Sequence, residues 1–397
     1  MRGARKAVLS LLIGTGVCCG LVLASTPTVV AASPRSAPPI EKQLAELKGS
    51  DTVAGDGFGG SVAISGTTAV VGAPDSRGYG RVYVFTKAST GWKQTAELKA
   101  ADTVASEQFG RLVAISGSTI IVAANGPRSA DRVYIFTKST GLSWRQAAEL
   151  KGPDTDYDGF GSSVAVSGTT VVVGDDWKGS GHVYSRVYIF TKTSSGWKNA
   201  VELNGNGASL GSGFGSSVAI SGGTVAVGAP FDGSKQVGLA YVFTKTGTSW
   251  DRVAALRNSD TVPYDIFGLS VAVSGNTVVV GTGTTGPRGI RVYVFAKTTS
   301  GWDQVAELKG PGSFSDLFGL AFAISGSTIV VGAPSPANAR RGAYLFTRSG
   351  SGWKLEEKLY VSGAVSFGSS VAISANTVLV GADAQANWTG RAYVFAA

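Results

Sequence analysis

A Phe-Gly pair recurs seven times, at Phe58, Phe109, Phe160, Phe214, Phe267, Phe318 and Phe367, at intervals of 51, 51, 54, 53, 51 and 49 residues. Self-similarity at a fixed period near 50 means stacked supersecondary units, because one such unit cannot bury its apolar surface alone. Each unit divides into four short runs rich in Val, Ile, Tyr, Phe and Trp, bounded by Gly, Pro and Ser, which is how strands read. In the first unit they are Ser61–Ile64, Thr68–Gly72, Arg81–Thr86 and Trp92–Leu98. Within Arg81–Thr86, Val82 and Val84 point to one face and Tyr83 and Phe85 to the other. Both faces are apolar, so this sheet is packed on both sides. The expected fold is all-β: a seven-bladed propeller of four-stranded antiparallel sheets.

The last unit stops at Arg391–Ala397 without a fourth strand, while Gln43–Lys48 has the fourth-strand text with no unit before it. The strand at 41–48 is therefore expected to complete blade seven and close the ring, removing its open edges. Blades are expected to start at 58, 109, 160, 214, 267, 318 and 367, so that 41–397 is one propeller despite its length.

Residues 1–32 read as a secretory signal peptide: Arg2, Arg5 and Lys6, then an uncharged apolar run over Ala7–Ala24, then Val30-Ala31-Ala32 as the cleavage site. Residues 33–40 read as a Pro/Ser-rich tether. Cys18 and Cys19 are the only cysteines and fall inside the leader, so the exported chain is expected to hold together by packing and ring closure rather than disulfides, which favours a bacterial origin. The formal charge is +9, and losing Arg2, Arg5 and Lys6 leaves +6 scattered over the repeats. Scattered charge in an exported chain argues against nucleic acid as partner and suits anionic surfaces. No later run is long enough to span a membrane, and a single closed ring is expected to be a monomer.

Phe58-Gly59 followed by Gly72-Ala73-Pro74 resembles the FG-GAP repeat, the unit of the seven-bladed propeller of integrin alpha chains. Phe214-Gly215 with Gly228-Ala229-Pro230, and Phe318-Gly319 with Gly332-Ala333-Pro334, repeat the full motif. Elsewhere the second part reads Ala124-Asn125-Gly126, Gly174-Asp175-Asp176, Gly281-Thr282-Gly283 and Gly381-Ala382-Asp383. The resemblance implies a propeller, with the Phe as a wedge between blades and the Gly allowing close backbone approach. The integrin calcium loop lies between first and second strands; here that place holds short turns such as Ser65-Gly66-Thr67, without carboxylates, so calcium does not carry over.

Asp154-Thr155-Asp156-Tyr157-Asp158-Gly159 begins like a calcium loop, but Ala165 stands where the twelfth-position acid belongs. Asp51, Asp102 and Asp260 follow fourth strands, and Asp56, Glu107, Asp265 and Asp316 precede the Phe by two; their recurrence predicts turn hydrogen bonds. No cofactor or metal site is expected. His182 is the sole histidine, so a His-based metal cluster is excluded, and no phosphate loop is present. Catalysis is not expected.

The variable segments are the loops between second and third strands and those joining blades, and both emerge on one face. Function belongs on variable loops of a rigid frame. Six of the eight tryptophans start fourth strands as packing residues; Trp177 and Trp388 lie in variable loops instead. With Lys178, His182, Tyr184, Arg340 and Arg341 they form the candidate ligand-binding set, and Arg77, Arg128 and Arg288 share those loops. The expected function is a secreted binding or scaffold module for a protein or glycan at or outside the cell surface. A lectin and a polysaccharide hydrolase or lyase are the alternatives.

Overall fold

The structure, a computed structural model, describes residues 43–397 apart from 76–77, 103–106, 125–131, 139–142, 153–158, 177–184, 204, 206–210, 284–288, 311–316, 335–341 and 351. Seven four-stranded antiparallel sheets follow one another as blades. In blade one the strands are Ser61–Ser65, Thr68–Ala73, Arg81–Ala88 and Gly91–Leu98, paired in that order. The first strands of neighbouring blades lie side by side all the way round, blade one against blade seven included, and form the inner wall.

Gln43–Leu47 pairs antiparallel with Arg391–Ala396, matching Glu46 with Tyr393 and Leu47 with Ala392. It thereby supplies the fourth strand of blade seven, as expected. Arg391 Nε donates to Glu46 Oε1 at 2.9 Å across the join.

The core is seven apolar clusters, each shared by two adjacent blades. Val82 and Val84 enter the cluster shared with blade two, while Tyr83 and Phe85 enter the one shared with blade seven. The alternation read from the sequence is thus divided between two neighbours. Each Phe of a Phe-Gly pair wedges into such a cluster and packs on the Tyr and Phe of its own third strand, at centroid distances of 5.5 to 6.1 Å. These are edge-on and tilted geometries, which the ring quadrupole favours.

The glycines of the motif meet across the blade boundary. A Cβ on Gly72 would lie 2.0 Å from the carbonyl oxygen of Gly110 in blade two, and one on Gly381 would lie 2.1 Å from that of Gly59. The second half of the motif is therefore the seat for the first half of the next blade. Register also corrects blade two: Ala123 faces Leu112 as Gly72 faces Ser61, so the counterpart of Gly72-Ala73-Pro74 is Ala123-Ala124-Asn125, one residue earlier than the sequence alignment placed it.

On the turn face, the backbone N–H after each first strand donates to the serine that ends the preceding blade's first strand. Gly117 donates to Ser65, Gly168 to Ser116, Gly222 to Ser167, Gly275 to Ser221, Gly326 to Ser274, Ala375 to Ser325 and Gly66 to Ser374, all at 3.0 to 3.1 Å. This belt closes on itself and explains why the Ser-Gly turn is so constant.

Fourth strands form the outer edge. In six blades the pairing of third and fourth strands skips one fourth-strand residue, and in blade seven it skips Leu44. Such bulges twist an exposed edge away from pairing with another chain. They also account for the exposure of Leu44, Val253 and Val305, which are skipped residues.

Candidate functional site

Both variable loop sets do meet on one face. Parallel bridges tie the loop before a third strand to the Phe of the next blade: Gly80 to Phe109, Gly238 to Phe267 and Gly390 to Phe58. In the described residues the exposed aromatic side chains are Tyr79, Tyr264 and Trp388, and all three lie on this loop face.

Trp388, 41% exposed, ends a left-handed turn in which Ala386, Asn387 and Trp388 have φ of 53°, 57° and 64°. L residues adopt this region at a cost of roughly 1–2 kcal/mol each. The turn is held from outside: Gly57 N–H donates to the Trp388 carbonyl at 2.8 Å, and Val365 N–H to Gln385 Oε1 at 2.6 Å. Lys235 and Gln236 make the same kind of turn in blade four, where Tyr264 N–H donates to the Lys235 carbonyl at 2.9 Å. Tyr264 is itself at φ 67° and 51% exposed. The other candidate residues, Trp177, Lys178, His182, Tyr184, Arg340 and Arg341, lie outside the described residues, as do Arg77, Arg128, Arg288 and Asp154–Asp158.

A cleft of about 330 Å³ opens on this face at blade one, lined by Asp56, Ala73, Asp75, Gly78, Tyr79, Gly80, Arg81, Lys99 and Ala100. Its walls come from three segments. The linker from blade seven brings Asp56, 6% exposed, whose Oδ2 accepts the Val53 N–H at 2.8 Å. The loop before the third strand brings Asp75, whose N–H donates to the Asp56 carbonyl at 3.2 Å, and Tyr79, 60% exposed. The third strand brings Arg81, and the segment just after the fourth strand brings Lys99.

Both cations are paired. Arg81 Nη1 donates to Asp51 Oδ2 at 2.8 Å and its Nε lies 3.5 Å from Glu97; Lys99 Nζ lies 2.8 Å from Glu97. Asp51 also accepts the Tyr83 hydroxyl at 2.7 Å. Burial first, and that hydrogen bond second, push the Tyr83 phenol well above its ordinary range.

The recurrent acids thus do two jobs. Asp56 and Asp265 make the expected turn bonds, to the N–H of Val53 and Val262. Asp51, Asp102 and Asp260 instead reach the next blade's third strand, at Arg81 and Tyr83, Arg132, and Tyr293 respectively. Sequence reasoning missed this clamp, and it missed Tyr79, for which an aromatic between two loop glycines was the available signal.

A family model for the FG-GAP repeat matches residues 42–85, 92–136, 144–190, 197–243, 250–295, 302–346 and 353–395. The chain belongs to the FG-GAP repeat family. Each FG-GAP match runs from a fourth strand through the third strand of the next blade, so the repeat is offset by one strand from the blade. A whole number of such repeats begins on an outer strand and ends on a third one, which is the arrangement at the ring closure.

A search of curated proteins gives no match. Among solved structures, the chain is similar to a periplasmic gluconolactonase of Pseudomonas aeruginosa, at 15% identity over 76% of this chain and 84% of that one, with a TM-score of 0.52. It is also similar to a protein from Lactobacillus plantarum, at 14% identity over the same shares, with a TM-score of 0.51. These likenesses are of fold. They correct the expectation that catalysis is absent: the same architecture carries an enzyme, so the repeats are no ground for excluding one.

Proposed function

We propose that this FG-GAP protein is an exported binding or scaffold module whose working surface is the loop face, and whose partner is a protein or glycan at or outside the cell surface. The observation that carries the reading is that Tyr79, Tyr264 and Trp388, in three separate loops, are all exposed on the variable face. Aromatics present large contact area with few rotors to freeze, which makes them anchors in interfaces and platforms for sugars. The strain at Tyr264 and Trp388 supports it further, since such backbone persists where its surroundings over-determine it and gathers at functional sites. The reading of residues 1–32 as a secretory leader supports export.

The test is capture of partners from the producing cells' envelope and medium, using the whole chain and the variants Tyr264→Ala and Trp388→Ala. Loss of a captured partner in either variant supports the reading. Capture that both variants leave untouched, with cross-links on the turn face, overturns it. The same fractions should be read for substrate turnover, because this architecture also carries an enzyme.

A further inference from the structure

The cleft at blade one carries the reading one step further. We infer that it is a subsite for an uncharged sugar residue, stacked on Tyr79 and hydrogen-bonded by Asp56, Asp75 and Lys99; this rests on the loop face being the working surface.

Size comes first. A space of about 330 Å³ is at the small end of ligand pockets, roughly 300–1,000 Å³, which suits a small ligand. Tyr79 comes second. It sits between Gly78 and Gly80, and Gly80, at φ 68°, is bridged to Phe109. The aromatic is thus 60% exposed on a loop that the next blade anchors, rather than folded onto the core. A ring presented in this way offers its apolar face to the C–H face of a sugar.

Polar groups come third. Asp56 is almost wholly buried and lines the cleft. A carboxylate has about four acceptor sites and Val53 N–H fills one of them, which leaves capacity for sugar hydroxyls. Asp75 adds acceptors, while Arg81 and Lys99 add donors.

Charge decides the class of sugar. The lining holds two acids and two cations, and both cations are already answered by Asp51 and Glu97 behind them. Counting those two acids makes the locality net negative, although the whole chain is net positive. An anionic glycan meets repulsion here, and an uncharged one does not.

Calorimetric titration of the full chain with cellotriose, chitotriose, mannotriose and galactotriose, and with trigalacturonate as the anionic probe, tests this. At least one neutral trisaccharide should bind. Tyr79→Ala should weaken that binding about tenfold or more with the melting temperature unchanged, and Tyr79→Trp should retain it. Absence of neutral binding, equal binding by Tyr79→Ala, or tighter binding of trigalacturonate overturns the inference. A partner captured through Tyr264 or Trp388 would leave the loop-face reading standing in that event; capture blind to all the exposed aromatics would remove both.

Discussion

At the residue scale the two motif glycines are not interchangeable with turn glycines, though all are written with one letter. Gly228 faces the next blade: a Cβ there would lie 1.9 Å from the Gly268 carbonyl oxygen. Gly66 has nothing within 4 Å of its Cβ, only a φ of 55°, and blade seven already places Ala375 at φ 48° in that turn. Blade two carries Ala123 at this seat, so a boundary can be set for a methyl group there; in blade four, whose boundary is set for Gly, Gly228→Ala should cost about 2 kcal/mol of overpacking, while Gly66→Ala should cost about 1 kcal/mol of backbone strain. Urea unfolding compares them, and equal losses would contradict the account. The Phe, the Gly and the serine turns were legible because seven copies repeat them. Tyr79 carried only a weaker signal, an aromatic between two loop glycines with no copy in the other blades.

At the element scale the short strand Gln43–Leu47 joins the two ends of the chain. Its Leu47 is buried in the cluster between blades seven and one, with Phe58 and Tyr83. Removing 43–47 strips blade seven of its fourth strand and exposes the edge of Arg391–Ala396. The melting temperature should fall sharply; an unchanged one would count against the pairing. Removing only the surface ion pair, by Glu46→Gln, should cost no more than about 1 kcal/mol. This strand was legible because its text matches the missing fourth strand. The clamp from Asp51 to Arg81 and Tyr83 was not, because the partners lie about thirty residues apart and spacing alone does not pair them.

At the scale of the whole molecule, stability is shared among the blade boundaries. Burial raises the phenols of Tyr83, Tyr134, Tyr188, Tyr241, Tyr293 and Tyr393 above their ordinary range, Tyr393 to about 12. The folded state therefore holds these protons after the unfolded chain has released its own, near pH 10. Their contribution is complete below about pH 10 and is lost as the pH climbs through the folded values. Urea midpoints should decline steadily from about pH 10 towards 12, and a flat profile over that window would contradict the burial described here. The number of blades and their closure were readable because periodicity is a global property; the proposed working surface was readable only as a face, since most of its residues differ from blade to blade.

Amide hydrogen exchange, followed by mass spectrometry across a denaturant series, asks most directly whether the chain's start locks its end. Peptides covering Gln43–Leu47 and Arg391–Ala396 should be protected alike and should open together. Rapid exchange in the first, with protection kept in the second, would mean that the ring is not closed by its own N-terminal strand.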